Sequence, residues 1–253
     1  MRTSPLRILI TGASRGIGRE IAIQLLDAGH SVAITARNLI DLKAVVAGRS
    51  NRTLTIVADS TDPDSGESTI KEINANWGGL DVLIINAGDG AAAPIEKTTN
   101  EIWENSIALN LTAPFQYIRA TVPLMKAAKF GRIIVIASTA GLEGEPNVSA
   151  YTAAKHGVIG LVRSAAAELE KYGITVNAVC PSYVDTPMTQ RSLQAAASRT
   201  GKDFDEVKSL LLAKLPGGRL LTPQEVAQVA ISFIDQPEKN GLAQIVKGDR
   251  SEY

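Results

Sequence analysis

Seven short runs of apolar, largely β-branched residues punctuate the chain, at 6–10, 32–36, 54–58, 81–85, 132–137, 174–180 and 243–246. Within each run apolar residues are nearly continuous rather than alternating, the pattern of strands covered on both faces. Longer segments with helical spacing lie between them. Ile17, Ile21 and Leu25 share one face, for example, and Gly29 then supplies a stop. Strands alternating with helices over 253 residues predict one α/β domain, 1–253, built on a doubly wound parallel sheet of about seven strands flanked by helices. Three helix starts are expected from capping chemistry: Asp62 followed by Pro63, Thr98 with Glu101, and Thr222 with Glu225 behind Pro223. The stretch 183–215 breaks the rhythm. It reads as a surface excursion or as a lid that forms a substrate loop.

Charge and cysteine content narrow the function classes. Lys and Arg number 26, as do Asp and Glu, so no overall field draws the chain to nucleic acid or to a membrane. Cys180 is the one cysteine, which excludes an intrachain disulfide and a Cys-rich zinc site; no metal is expected. The longest apolar runs fall far short of the roughly 18 residues of a spanning helix. Residues 1–7 lack the apolar stretch of a secretion signal, so a cytoplasmic setting is the expectation.

The first run leads into Thr11-Gly12-Ala13-Ser14-Arg15-Gly16-Ile17-Gly18 and then a helix. Glycines there allow a tight turn, a close backbone approach and close helix–strand packing, and a helix start offers free N–H groups to a pyrophosphate. Gly12, Ser14, Arg15, Gly16, Ile17 and Gly18 are the expected cradle. The second run ends in Thr35-Ala36-Arg37-Asn38, without the acid that would hydrogen-bond a ribose 2′-hydroxyl. Arg37 and Arg15 can instead pair with a 2′-phosphate, which favours NADP(H) over NAD.

Tyr151 and Lys155 stand four residues apart, on one face of a helical stretch. A nearby ammonium favours the phenolate, so Lys155 is expected to lower the Tyr151 pKa and Tyr151 to exchange a proton with a carbonyl oxygen. Ser138 follows the fifth run at its carboxyl end, where open α/β sheets place ligands.

Ser138, Tyr151 and Lys155, together with the glycine turn upstream, resemble the short-chain dehydrogenase/reductase family, whose fold is a Rossmann-type sheet. The resemblance runs from about Leu6 to Val246. It implies that Asn86, Ala87 and Gly88 line the adenosine part of a cofactor site and that Asp59 contacts the adenine, with Ser60 beside it. Asn110 would position Lys155 through a water relay. Pro181, Val184 and Thr186 would border the nicotinamide, which Tyr151 and Lys155 also approach. Two departures stand out: Ser182 replaces the usual Gly, and Lys247-Gly248-Asp249 replaces Asp-Gly-Gly.

The resemblance implies NADPH-dependent, reversible reduction of a carbonyl to a secondary alcohol, with Asn110, Ser138, Tyr151 and Lys155 as the catalytic set. The nearest subgroup is the 3-oxoacyl-thioester and polyketide ketoreductases, so the expected small-molecule substrate is a 3-oxoacyl thioester or a cyclic ketone. The rivals are an NAD-linked dehydrogenase of a secondary alcohol and a non-catalytic nucleotide sensor or scaffold. A homotetramer is expected through helices at 98–128 and 149–172. In the substrate loop, Tyr183, Met188, Leu193 and Phe204 are the expected apolar lining. Arg191, Arg199, Lys202 and Lys208 form an expected positive rim, which Lys126, Lys129 and Arg132 would extend.

Overall fold

The structure, a computed structural model, describes residues 5–49 and 52–248. Asp249, the last of the three departing residues near the carboxyl end, lies outside them. Seven strands form one parallel sheet: β1 (Arg7–Ile10), β2 (Ser31–Ala36), β3 (Thr53–Val57), β4 (Val82–Ile85), β5 (Gly131–Ile136), β6 (Ile174–Pro181) and β7 (Ala243–Val246). Their order is β3-β2-β1-β4-β5-β6-β7. The chain builds outward from β1 in one direction and then, from β4, in the other. The crevice at that reversal, outside the carboxyl ends of the strands, is where such sheets bind ligands.

Among the described residues nine α-helices flank the sheet: α1 (Gly16–Asp27), α2 (Leu39–Val46), α3 (Ser65–Trp77), α4 (Asn100–Ile107), α5 (Ala113–Ala128), α6 (Ser149–Leu169), α7 (Pro187–Thr200), α8 (Phe204–Leu212) and α9 (Pro223–Ser232). Alternate residues of each strand point to opposite faces. Ile8 and Ile10 therefore pack with Ile21, Leu25, Leu42 and Phe233, while Leu9 packs toward Ile70, Tyr117, Val158 and Val162 on the other side. Both faces being covered explains why apolar residues dominate the central strands, while the edge strand β3 is less buried.

Helix starts depart from expectation in two of three cases. Asp62 does not cap a helix at Pro63. Its carboxylate accepts the Asp64 N–H within a turn, and α3 begins only at Ser65. Thr99, not Thr98, caps α4 by accepting the Ile102 N–H, because the Thr98 hydroxyl donates back to Pro94 O. The Thr222 and Glu225 capping box is present in both halves. The 183–215 stretch contains two helices. Thr186 caps α7 ahead of Pro187, and Asp203 caps α8. Between α4 and α5 a π turn, Ala108–Thr112, carries Asn110. Among the described residues no helix is long and apolar enough to cross a membrane.

Candidate active site

A cleft of about 1060 Å³ opens at the carboxyl ends of the strands. At one end the β1–α1 turn is locked to the end of β4. Thr11 Oγ1 accepts the N–H groups of Asn86 (3.0 Å) and Ala87 (3.1 Å), and Asn86 Nδ2 donates to the carbonyls of Thr11 and Gly12. Gly12 has φ +65°, and a Cβ on it would stand 2.7 Å from Ala87 Cα. No side chain caps α1, whose N-cap Arg15 is extended, so the first N–H groups of the helix face the cleft without partners from their own helix.

Most of the expected cradle lines this wall, but Gly18 does not. A Cβ there would meet Asn86 Nδ2 at 2.4 Å, so this glycine serves close packing of α1 on the β4 end. The Asn86 amide is likewise engaged with backbone. Arg15 and Arg37 are exposed on the wall. Asn38 caps α2, and Asp41, in the first turn of that helix, adds a carboxylate to the same wall. Asp59 accepts from both the N–H and the hydroxyl of Thr61, which hold its carboxyl below the usual range, with a smaller contribution from Arg37. Ser60 is buried beside it.

The far end of the cleft holds the three chemistry-bearing side chains. Ser138 follows β5 and starts a short 3-10 turn, its Oγ accepting the Ala140 N–H at 3.1 Å. Tyr151, from the first turn of α6, lines the same end of the cleft as Ser138, which acts on its phenol. Lys155, one turn further on, is buried. Its Nζ donates to Ile136 O at 3.0 Å and lies 5.5 Å from the centre of the Tyr151 ring. Burial pushes the Lys155 ammonium down to about 8. Burial also pushes the Tyr151 phenol up to about 12; Ser138 opposes this, while Glu145 and Asp89 reinforce it. The expected lowering of the Tyr151 pKa by Lys155 is therefore not what the protein alone displays, because desolvation dominates.

Asn110 stands behind the cleft rather than on its wall. It is buried in the π turn, and its Nδ2 donates to Asp89 O at 2.8 Å and Ser106 O at 3.1 Å. Its Oδ1 is buried with no hydrogen-bond partner. Pro181, Val184 and Thr186 border the opposite wall, where Thr186 Oγ1 is also the cap of α7.

Tyr183, Met188, Arg191 and Arg199 of the 183–215 stretch reach the main cleft. Leu193 instead lines a smaller cavity of about 270 Å³ with Val207, Leu210 and Leu211. Phe204, Lys202 and Lys208 line neither, and Lys202 pairs with Glu206. The proposed extension of the rim fails on direction. Arg132 sits at the amino end of β5, buried and donating to Ile234 O and Gly173 O, with Lys126 and Lys129 just before that strand. All three lie at the opposite end of the sheet from Ser138. Sequence reasoning also missed two polar pairs across the cleft mouth: Tyr183 donating to Glu145, and Arg191 with Asp89 at 3.1 Å.

The short chain dehydrogenase family model matches residues 7–197. The chain is 37% identical to a D-beta-hydroxybutyrate dehydrogenase of Cupriavidus necator, covering 88% of each chain. It is 39% identical to a monensin polyketide synthase putative ketoacyl reductase of Streptomyces virginiae, covering 87% of this chain and 86% of that one. The fold superposes on a variant of actinorhodin polyketide ketoreductase solved with NADPH, with TM-score 0.92, 31% identity and 98% of each chain covered. The chain belongs to the short-chain dehydrogenase family and is an oxidoreductase of the carbonyl–alcohol class.

Proposed function

We propose that this protein reduces a carbonyl compound to a secondary alcohol, reversibly, with NADP(H), and that Ser138, Tyr151, Lys155 and Asn110 are its catalytic set. The observation that carries the reading is that Ser138, Tyr151 and Lys155 line the same cleft as the uncapped start of α1. The residues present fit a nicotinamide dinucleotide. The uncapped helix start suits a pyrophosphate, and the unpartnered Asn110 Oδ1 suits a relay behind the ribose end.

When bound, the cofactor supplies a hydride to the carbonyl carbon or takes one from the alcohol. Tyr151 gives its hydroxyl proton to the carbonyl oxygen in reduction and recovers it in oxidation. With its phenol pushed up to about 12, Tyr151 is protonated at neutral pH, the form reduction needs. Ser138 offers the second hydrogen bond to that oxygen. Lys155 holds the ribose hydroxyls and favours the phenolate once the proton has left. Arg15 and Arg37 pair with a 2′-phosphate; Asp41 and Asp59 are carboxylates on the same wall. Asp59 and Ser60 border the adenine, and Pro181, Val184 and Thr186 the nicotinamide. The names of the two relatives point to 3-oxoacyl compounds, and a cyclic ketone is the second substrate class we infer.

The test is turnover of NADPH and of NADH against a panel of ketones, diones and 3-oxoacyl thioesters. Consumption with at least one class supports the reading. Binding of nucleotide without turnover across the panel would favour a sensor or scaffold.

A further inference from the structure

Two carboxylates of the cleft, Asp89 and Glu145, act on the Tyr151 phenol, and of these two only Asp89 is ion-paired among the described residues. Asp89 is paired with Arg191 of α7 at 3.1 Å. Glu145, in the loop before α6, accepts from the neutral hydroxyl of Tyr183, and among the described residues no ammonium or guanidinium pairs with it. Tyr183 is held as a donor, because burial and the Glu145 carboxylate both push its phenol above the ordinary range. The remaining cations do not answer Glu145. Lys155 is directed inward to Ile136 O. Arg199 lies eight residues along α7 from Arg191, about 12 Å of helix.

We propose that Glu145 sets a charge filter: the site accepts carbonyl compounds that are uncharged within a few bonds of the carbonyl, such as esters, thioesters and ring ketones, and rejects free oxo acids. The proposal rests on the carbonyl-reductase reading and narrows its substrate class. A carboxylate two or three bonds from the reacting carbon, with its oxygen between Ser138 and Tyr151, comes near the charge of Glu145 in a partly desolvated cleft. At an effective dielectric of about 20, a like charge within about 10 Å disfavours the anion by about ten-fold or more. An ester or thioester at the same place presents no charge. The filter separates this chain from the hydroxybutyrate dehydrogenase it resembles, whose named substrate is a carboxylate.

Matched pairs test it on the full chain with NADPH: acetoacetate against ethyl acetoacetate, and levulinate against methyl levulinate. We expect kcat/KM for each ester to exceed that of its acid by about ten-fold or more. Glu145→Gln keeps an acceptor for Tyr183 but removes the charge, and should shrink the ester-to-acid ratio about ten-fold by raising the acids. Tyr183→Phe leaves the carboxylate in place and should keep the ratio at or above the wild-type value. Equal rates on acid and ester in the wild type overturn the proposal, as does a ratio that Glu145→Gln leaves unchanged or that Tyr183→Phe collapses. Turnover of no member of either pair, with other ketones also inert, overturns the carbonyl-reductase reading itself and this proposal with it.

Discussion

Asn110 and Lys155 converge on Gly88: a methyl group there would stand 3.0 Å from Asn110 Oδ1 and 3.6 Å from Lys155 Nζ. An unpartnered buried acceptor and a buried ammonium thus border the same space beneath a residue without a side chain. A relay between them needs both the amide oxygen and the missing Cβ. Asn110→Leu keeps the bulk and removes the acceptor, so kcat should fall about ten-fold or more while nucleotide affinity stays close to wild type. A kcat equal to wild type would remove Asn110 from the relay.

NADPH should be preferred to NADH in kcat/KM, and Arg37→Asp should erase or reverse the preference. Hydrogen bonds to charged groups contribute roughly 1.5–3 kcal/mol, or about one to two decades in affinity. Asp41 shares the wall with Arg37, so Asp41→Asn should shift the preference further toward NADPH. Steady-state kinetics of the three proteins with both cofactors check this. A wild type that favours NADH would contradict it.

Lys155 links function to stability. In the unfolded chain it titrates near 10.5 and in the folded protein at about 8. Below pH 8 both states carry the charge, and the folded state bears the full cost of burying it. Between those values the unfolded state binds the extra proton, so stability from this group rises with pH. Lys155→Met removes the cost, and also the hydrogen bond to Ile136 O. Denaturant unfolding of wild type and variant should therefore differ by a quantity that moves in favour of the wild type by about 3 kcal/mol between neutral pH and pH 10.5. A difference independent of pH would show that the ammonium is not buried as described.

The strands were legible because burial on both faces writes a nearly unbroken apolar run, and Ser138, Tyr151 and Lys155 because strand end and helix periodicity place them without knowledge of distant contacts. The helices α7 and α8 were not: α7 has few large apolar residues, while α8 carries Phe204, Val207, Leu210, Leu211 and Leu212, a signal that was available together with the Thr186-Pro187 and Asp203 caps. Gly18 takes the close packing expected of the third glycine, and what it meets, Asn86, is a partner supplied by tertiary packing. The misplacement of Arg132 was avoidable: a residue opening a strand lies at the opposite end of the sheet from one that follows it. Arg191 with Asp89 and Tyr183 with Glu145 join segments 102 and 38 residues apart, and no local pattern announces either pair.

Self-association is expected through α4, α5 and α6. Trp103 and Phe115 are each 45% exposed there, and Gly160 faces open space. Other small residues of α6, Ala154, Ala165 and Ala166, pack into the protein's own core, and Gly157 is filled by Leu111. The exposed aromatic side chains are the stronger argument for a partner, since covering them stabilises about 25 cal/mol per Å² of apolar area. Sedimentation at micromolar concentration should show an oligomer, a tetramer by family resemblance, that Trp103→Glu weakens. A stable wild-type monomer would exclude it.

The central claim is that the Tyr151 hydroxyl delivers the proton in carbonyl reduction. Tyr151→Phe removes that one oxygen and leaves Ser138, Lys155 and the cradle in place. Single-turnover NADPH oxidation, with nucleotide affinity measured alongside, tests it most directly. The expected result is a loss of about 10²–10⁴-fold in rate with affinity for NADPH retained. A variant that reduces substrate at close to the wild-type rate would contradict the account.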